Sequence, residues 1–308
     1  MADLLNLTLP FFAVIALGFF AGRRNWVPVA AVPAINTFVF YFAMPALVAG
    51  SLARQDIASL LDLGLLTGWL GAALILFTLG MLFARLRDKA ASLGQMAISG
   101  QAASVANVGF LALPITAANF GDDGVRLSAT VLIVDLLIII PLSITLLEAR
   151  SGGSGLQTFV TALSRAIRNP FAIAILLGVA LSATGIGLPG PTERFADFLG
   201  AAGAPTALFA LGLSLATRQT EGDGSFVAGI TILKLVAHPL VVFLALMAIG
   251  TDLLITAIAT VIAATPVAQN VFVIATQYET YSRRIGTAIL VSTLCAVVTV
   301  TAVLWLVR

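Results

Sequence analysis

The chain has 308 residues, 60% of them hydrophobic and 10% charged, with a mean hydropathy of +1.08. No soluble domain of that length needs so apolar a composition for its core, so the sequence reads as an all-α polytopic membrane protein. The formal net charge of +2 comes from basic residues scattered between apolar runs, which marks membrane topology and excludes a nucleic-acid partner.

Windows of roughly 17 to 25 apolar residues serve as candidate spans. They predict ten transmembrane helices, at 7–22, 30–50, 63–84, 96–118, 126–148, 170–187, 196–216, 226–249, 253–277 and 285–307. The residues before the first span lack the basic region and small-residue cleavage site of a signal peptide, so that span is expected to be a retained helix. Trp26, Trp69 and Trp305 fall near predicted helix ends and are expected as interface anchors.

The fourth span is unusual. Gln101, Ser104, Asn107, Gly109 and Pro114 stand where a lipid-facing helix would carry leucines, which predicts a helix broken at membrane depth. Asp135 lies in the middle of the fifth span. The segment 149–169 then forms a linker that opens with Ser151 to Gly155. In it Phe159, Leu163 and Ile167 recur every four residues, with Arg165 and Arg168 among them. That pattern predicts a short amphipathic helix on the membrane surface.

In the second half, Gly178, Gly200, Gly203 and Gly212 are expected to let helices approach closely. Lys234 sits within the eighth span. His238 follows one turn later on the same face, and Pro239 predicts a kink there. The ninth span carries Thr265, Pro266, Gln269 and Asn270, a second interrupted helix. Cys295, the single cysteine, excludes an intrachain disulfide and a cysteine-based metal cluster and is expected as a small core residue. No cofactor and no metal site is expected.

The two halves resemble each other at an offset near 160. Pro10 and Gly18 lie over Pro170 and Gly178, Pro45 over Pro205, and the stretch from Val105 to Phe110 over that from Val267 to Phe272. Arg126 and Arg284 open the fifth and tenth spans. This predicts a first repeat over 1–148 and a second over 170–308, joined by the linker. Because five spans per repeat is an odd number, the repeats are expected to be inverted, with the fourth and ninth helices crossing as broken helices. Loops after odd-numbered spans hold eleven basic residues (Arg23, Arg24, Arg85, Arg87, Lys89, Arg150, Arg165, Arg168, Arg218, Arg283, Arg284). The other side holds four (Arg54, Arg126, Arg194, Arg308), which puts both termini outside the cytoplasm.

The candidate substrate-binding residues are Asn107 and Asn270, with Gln101, Ser104, Gln269 and Tyr41 as further members. The expectation is that each break leaves unpaired backbone amides and carbonyls, and that the positive ends of the half-helices suit an anion. Asn107 and Asn270 would add neutral hydrogen bonds. Gly109, Pro114 and Pro266 are the expected breakers at the crossing. Asp135, Lys234 and His238 are the candidates for charge or proton coupling, expected to stand apart from the crossing. The structural alternatives are a charge pair that locks helices together and asparagines that bond across helices as packing glue.

Taken together, the Asn107–Pro114 stretch, Arg168-Asn169-Pro170, Lys234 with His238 and Pro239, and Thr265-Pro266 with Asn270 resemble the auxin efflux carrier family. The similarity is to its short bacterial members, some of them described as malonate or other dicarboxylate transporters. The resemblance implies ten helices in two inverted repeats, a scaffold and a transport domain, and an elevator-type displacement. It also implies a small organic anion as substrate, a homodimer and a bacterial inner-membrane location. The partners implied are the anion, the lipid bilayer and a coupled proton or sodium ion. The long central regulatory loop of the plant carriers has no counterpart beyond 149–169. Two other functions stay open on the residues alone: a sodium- or proton-coupled cation antiporter of similar fold, and a membrane receptor. An intramembrane enzyme is not expected, since no metalloprotease, serine-hydrolase or paired-aspartate motif is present.

Overall fold

The computed structural model describes residues 2–55, 62–149, 155–185, 188–216 and 223–307. Arg150, linker residues 151–154, Arg218 and Arg308 lie outside the described residues. Among the described residues the regular structure is helical, with one isolated bridge. In chain order the helices are α1 (Ala2–Arg23), α2 (Val29–Ala53), α3 (Leu63–Arg87), α4 (Leu93–Ser104), α5 (Val108–Glu148) and α6 (Gly155–Ile167). They continue with α7 (Pro170–Thr184), α8 (Gly190–Leu215), α9 (Gly224–Ile249), α10 (Leu253–Ala263), α11 (Gln269–Gln277) and α12 (Ser282–Leu306). Six of these, α2, α3, α5, α8, α9 and α12, are long and apolar enough to cross a membrane unaided. The chain is therefore an all-helical, multi-pass membrane protein.

Prolines shape several of these helices without ending them. Wider, π-type turns cover Val39–Ala43, Val108–Ala112, Asp135–Ile139 and Leu233–Ala237. Each is followed two residues later by a proline: Pro45, Pro114, Pro141 and Pro239. A proline ring collides with the carbonyl four residues earlier and offers it no N–H, and an inserted residue relieves both problems within a continuous helix. Pro239 thus widens α9 instead of kinking it at His238. Pro114 acts the same way, so neither Gly109 nor Pro114 marks the end of a helix. The chain leaves helical geometry earlier, at 105–107. Inside α5 the exception is Gly121, at φ 57 and ψ −138, a backbone state that a side chain would strain.

The chain packs as two compact units. Unit 1 holds Met1–Asp62, Val108–Thr130 and Arg168–Arg218; unit 2 holds Leu63–Asn107, Val131–Ile167 and Gln219–Arg308. In unit 1, α1 lies against α8 at a distance that only glycines permit. A Cβ on Gly212 would fall 1.9 Å from the Ile15 carbonyl oxygen, and one on Gly18 2.2 Å from that of Phe209. Arg54, at the end of α2, pairs with Asp122 at 3.2 Å and Asp197 at 2.9 Å, tying α2 to the Gly121 turn and to α8.

In unit 2, α4 begins with a reciprocal cap: Ser92 accepts from the Gln95 N–H, and the Gln95 side chain accepts from the Ser92 N–H. The amphipathic helix expected in the linker is α6, which packs on the last turns of α5 and buries Ala162.

Two expectations fail here. Trp69 is no interface anchor: its side chain is completely buried in unit 2, while Trp26 and Trp305 are 71% and 60% exposed. Cys295 is exposed on α12, on the apolar outer face that also presents Leu294 and Val298. In both cases position along the helix suggested one environment and the face of the helix decided another.

Candidate functional site

Two helices of unit 2 stop short inside the protein. α4 ends at Ser104, and α10 ends at Ala263 before the chain resumes as α11 at Gln269. The extended residues after these ends run antiparallel and touch. Ala106 and Val267 form a bridge, and the Asn107 N–H donates to the Pro266 carbonyl at 3.1 Å. The fourth and ninth predicted spans, far apart in sequence, are thus joined through their breaks.

Several backbone groups at the breaks find side-chain partners. Lys234 Nζ donates to the Ala263 carbonyl at 2.7 Å, and Thr299 Oγ1 donates to that of Ala264 at 3.4 Å. The Val267 N–H donates to Ser292 Oγ at 3.3 Å, and the Ala106 N–H donates to the Asp135 carboxylate. In an apolar interior an unpaired peptide group costs several kcal/mol, so α5 and α9 each supply one side chain and α12 supplies two to satisfy them.

What stays unpartnered is a set of side-chain atoms. Gln101 Nε2, Asn107 Nδ2, Asn270 Oδ1, Asp135 Oδ2 and His238 Nε2 are all buried without a hydrogen bond. Gln101 is completely enclosed, and its Oε1 accepts from Ser143 Oγ at 2.9 Å, which leaves the amide nitrogen unspent. Leaving a buried polar atom unsatisfied costs about 1–3 kcal/mol each, so each of these atoms is an unusual feature for packing alone.

The charged residues reach the breaks and do not stand apart from them. Asp135 opens the π-type turn of α5 and accepts from the Trp69 indole N–H at 3.3 Å as well as from Ala106. Lys234 sits in the π-type turn of α9 and contacts His238 Nδ1 at 3.0 Å in addition to Ala263. The His238 ring lies 5.2 Å from the Trp69 ring, and Asp135 and Lys234 act on one another electrostatically. The carboxylate therefore lies at the first break and the ammonium at the second.

The remaining candidates divide. Gln269 and Asn270 are half-buried on the first turn of α11. Ser104 is completely buried, but its hydroxyl donates to the Gly100 carbonyl of its own helix at 3.0 Å. Tyr41 lies in unit 1 and is 57% exposed, and Gly109 and Pro114 also belong to unit 1. Sequence reasoning missed Trp69, Ser143, Ser292 and Thr299. The last three are single hydroxyls in apolar spans, a signal too common to select them.

A multi-pass helical chain that keeps polar side chains unspent where two interrupted helices meet is built as a membrane transporter. The comparisons with known proteins give the same class, and the chain belongs to the membrane transport protein family, which it matches over residues 4–304. This is the auxin efflux carrier family of the sequence resemblance. It is 32% identical to a protein of Rhizobium meliloti (strain 1021) named "Putative malonate transporter", over 100% of this chain and 97% of the relative. It is 28% identical to the "Uncharacterized transporter YfdV" of Escherichia coli (strain K12), over 97% of this chain and 95% of the relative. A third relative, an "Uncharacterized transporter" of Methanothermobacter thermautotrophicus, is 30% identical over 65% of each chain.

Proposed function

We propose that this transporter is a secondary carrier for a small organic anion, with dicarboxylates of malonate size as the first substrates to test. The observation that carries the reading is the pair of unpartnered buried amide nitrogens, Gln101 Nε2 and Asn107 Nδ2, beside two joined helix breaks, with the Asn270 amide, whose Oδ1 is unpartnered, proposed as a further ligand through its nitrogen. Amide N–H groups bind a carboxylate without the desolvation cost of a second full charge, and the Lys234 ammonium supplies the attraction for a negative ligand. The name of the Rhizobium relative points to the same substrate class.

Asp135, Lys234 and His238 are the groups proposed to couple transport to an ion, most simply a proton. The two breaks are proposed to be the crossing of two inverted five-helix repeats. The site residues other than Tyr41, Gly109 and Pro114 all belong to unit 2, which supports an elevator mechanism in which the site travels with that unit. On the basic-residue asymmetry both termini lie outside the cytoplasm, and the family resemblance adds a bacterial inner-membrane location and a homodimer. A cation antiporter is a weaker reading, because such a carrier needs acidic residues at its site, and among the candidate site residues Asp135 is the one carboxylate, with the Lys234 ammonium already acting on it. The test is uptake by purified protein in liposomes across a panel of radiolabelled mono- and dicarboxylates, under imposed pH and sodium gradients. Accumulation or exchange of at least one dicarboxylate is expected. No movement of any carboxylate, with cation exchange lost in Asp135→Asn, would overturn the anion reading in favour of the antiporter.

A further inference from the structure

Unit 2 holds a second polar site, remote in sequence from the breaks. A cavity of about 250 Å³ lies between α5 and α6, lined by Ile144, Glu148, Gln157, Thr158, Thr161, Ala162 and Arg165. We propose that it binds the headgroup of a phospholipid carrying a phosphate and a primary ammonium, as in phosphatidylethanolamine. The charges set the ligand's chemistry. Arg165 has no ion pair among the described residues, so its guanidinium is available for a phosphate, with the Thr158 hydroxyl alongside.

Glu148 supplies the opposite pole. One of its oxygens accepts from the Tyr278 hydroxyl at 2.5 Å. Burial, together with that hydrogen bond, raises the Tyr278 hydroxyl to about 12, so it stays protonated and remains the donor. The second Glu148 oxygen is left for an ammonium. The cavity, of about 250 Å³, has room for a group larger than a single water or ion. The surroundings favour a lipid over a free ligand. Ile144 and Ala162 form an apolar part of the wall, and α6 presents Leu156 and Val160, 74% and 54% exposed, as a surface for acyl chains.

The site also has a route to the breaks. Tyr278 directly follows α11, whose first turn carries Gln269 and Asn270, so an occupant that holds Glu148 acts on the far end of that same helix. This consequence rests on the carrier reading; the binding itself does not.

The test uses the full chain, purified and delipidated in detergent, with lipid retention read by native mass spectrometry. Phosphatidylethanolamine is expected to be retained at least tenfold better than phosphatidylcholine or phosphatidylglycerol. Glu148→Gln and Arg165→Gln are each expected to lower that retention about tenfold without a change in melting temperature. Equal retention of the three lipids, or variants that bind as wild type does, would overturn the proposal. Binding of soluble glycerophosphoethanolamine as tight as that of the lipid would overturn the assignment to a lipid. Intact lipid binding in a protein that moves no carboxylate would fail the carrier reading alone.

Discussion

Trp69 shows how much of the site depends on a residue with no charge. Its indole donates to Asp135 and its ring lies beside His238, so it orients both ionisable sides of the cluster. Trp69→Phe keeps most of the apolar volume and removes the hydrogen bond to a buried carboxylate. A loss of about 1.5–3 kcal/mol is expected, read as a lower melting temperature in detergent, together with impaired uptake. The two buried charges make a second prediction at this scale. Lys234→Met removes the donor to the buried Ala263 carbonyl and the cation that acts on Asp135, and is expected to cost about 1–3 kcal/mol. Adding Asp135→Asn should recover part of that loss in melting temperature, though not transport. A double variant no more stable than the single one would mean that the two residues are independent.

At the scale of elements, interruption was legible in the sequence and its accommodation was not. Asn107, Pro266 and Asn270 mark the segments where α4 and α10 stop, because an amide or a proline in an apolar run has few other uses. Yet Pro114 and Pro239 carry the same signal and produce π-type turns inside continuous helices. Whether a proline breaks a helix or widens it depends on what can take up the freed carbonyl, which is a tertiary matter. The partners of the breaks, Ser292 and Thr299, come from α12 some 25 and 35 residues away, and no local pattern announces them. Helix contacts were easier to read. The glycines of α8 signalled close packing, and Gly212 meets the Ile15 carbonyl of α1. Gly212→Val should force the two helices apart and cost about 1–3 kcal/mol. Gly190→Ala, with nothing within 4 Å, should leave the melting temperature unchanged.

For the whole molecule, composition alone established a multi-pass helical membrane protein, and the resemblance gave the family to which the chain belongs. Hydropathy could not show that non-contiguous segments gather into two units, since both units draw on each half of the sequence. Most of the predicted site nevertheless converged on unit 2. The exceptions, Tyr41, Gly109 and Pro114, had been selected for residue type or for breaking a helix, and neither property fixes where a side chain ends up.

The central claim is that the unspent amides at the joined breaks hold the transported anion. The most direct measurement is uptake of a dicarboxylate into liposomes by wild type, Asn107→Ala, Asn270→Ala and the double variant, each checked for insertion and melting temperature. Each hydrogen bond to a charged ligand contributes about 1.5–3 kcal/mol. The single variants are therefore expected to lose roughly tenfold to a hundredfold in apparent affinity while remaining folded. Uptake at wild-type affinity in both single variants and in the double variant would contradict the account.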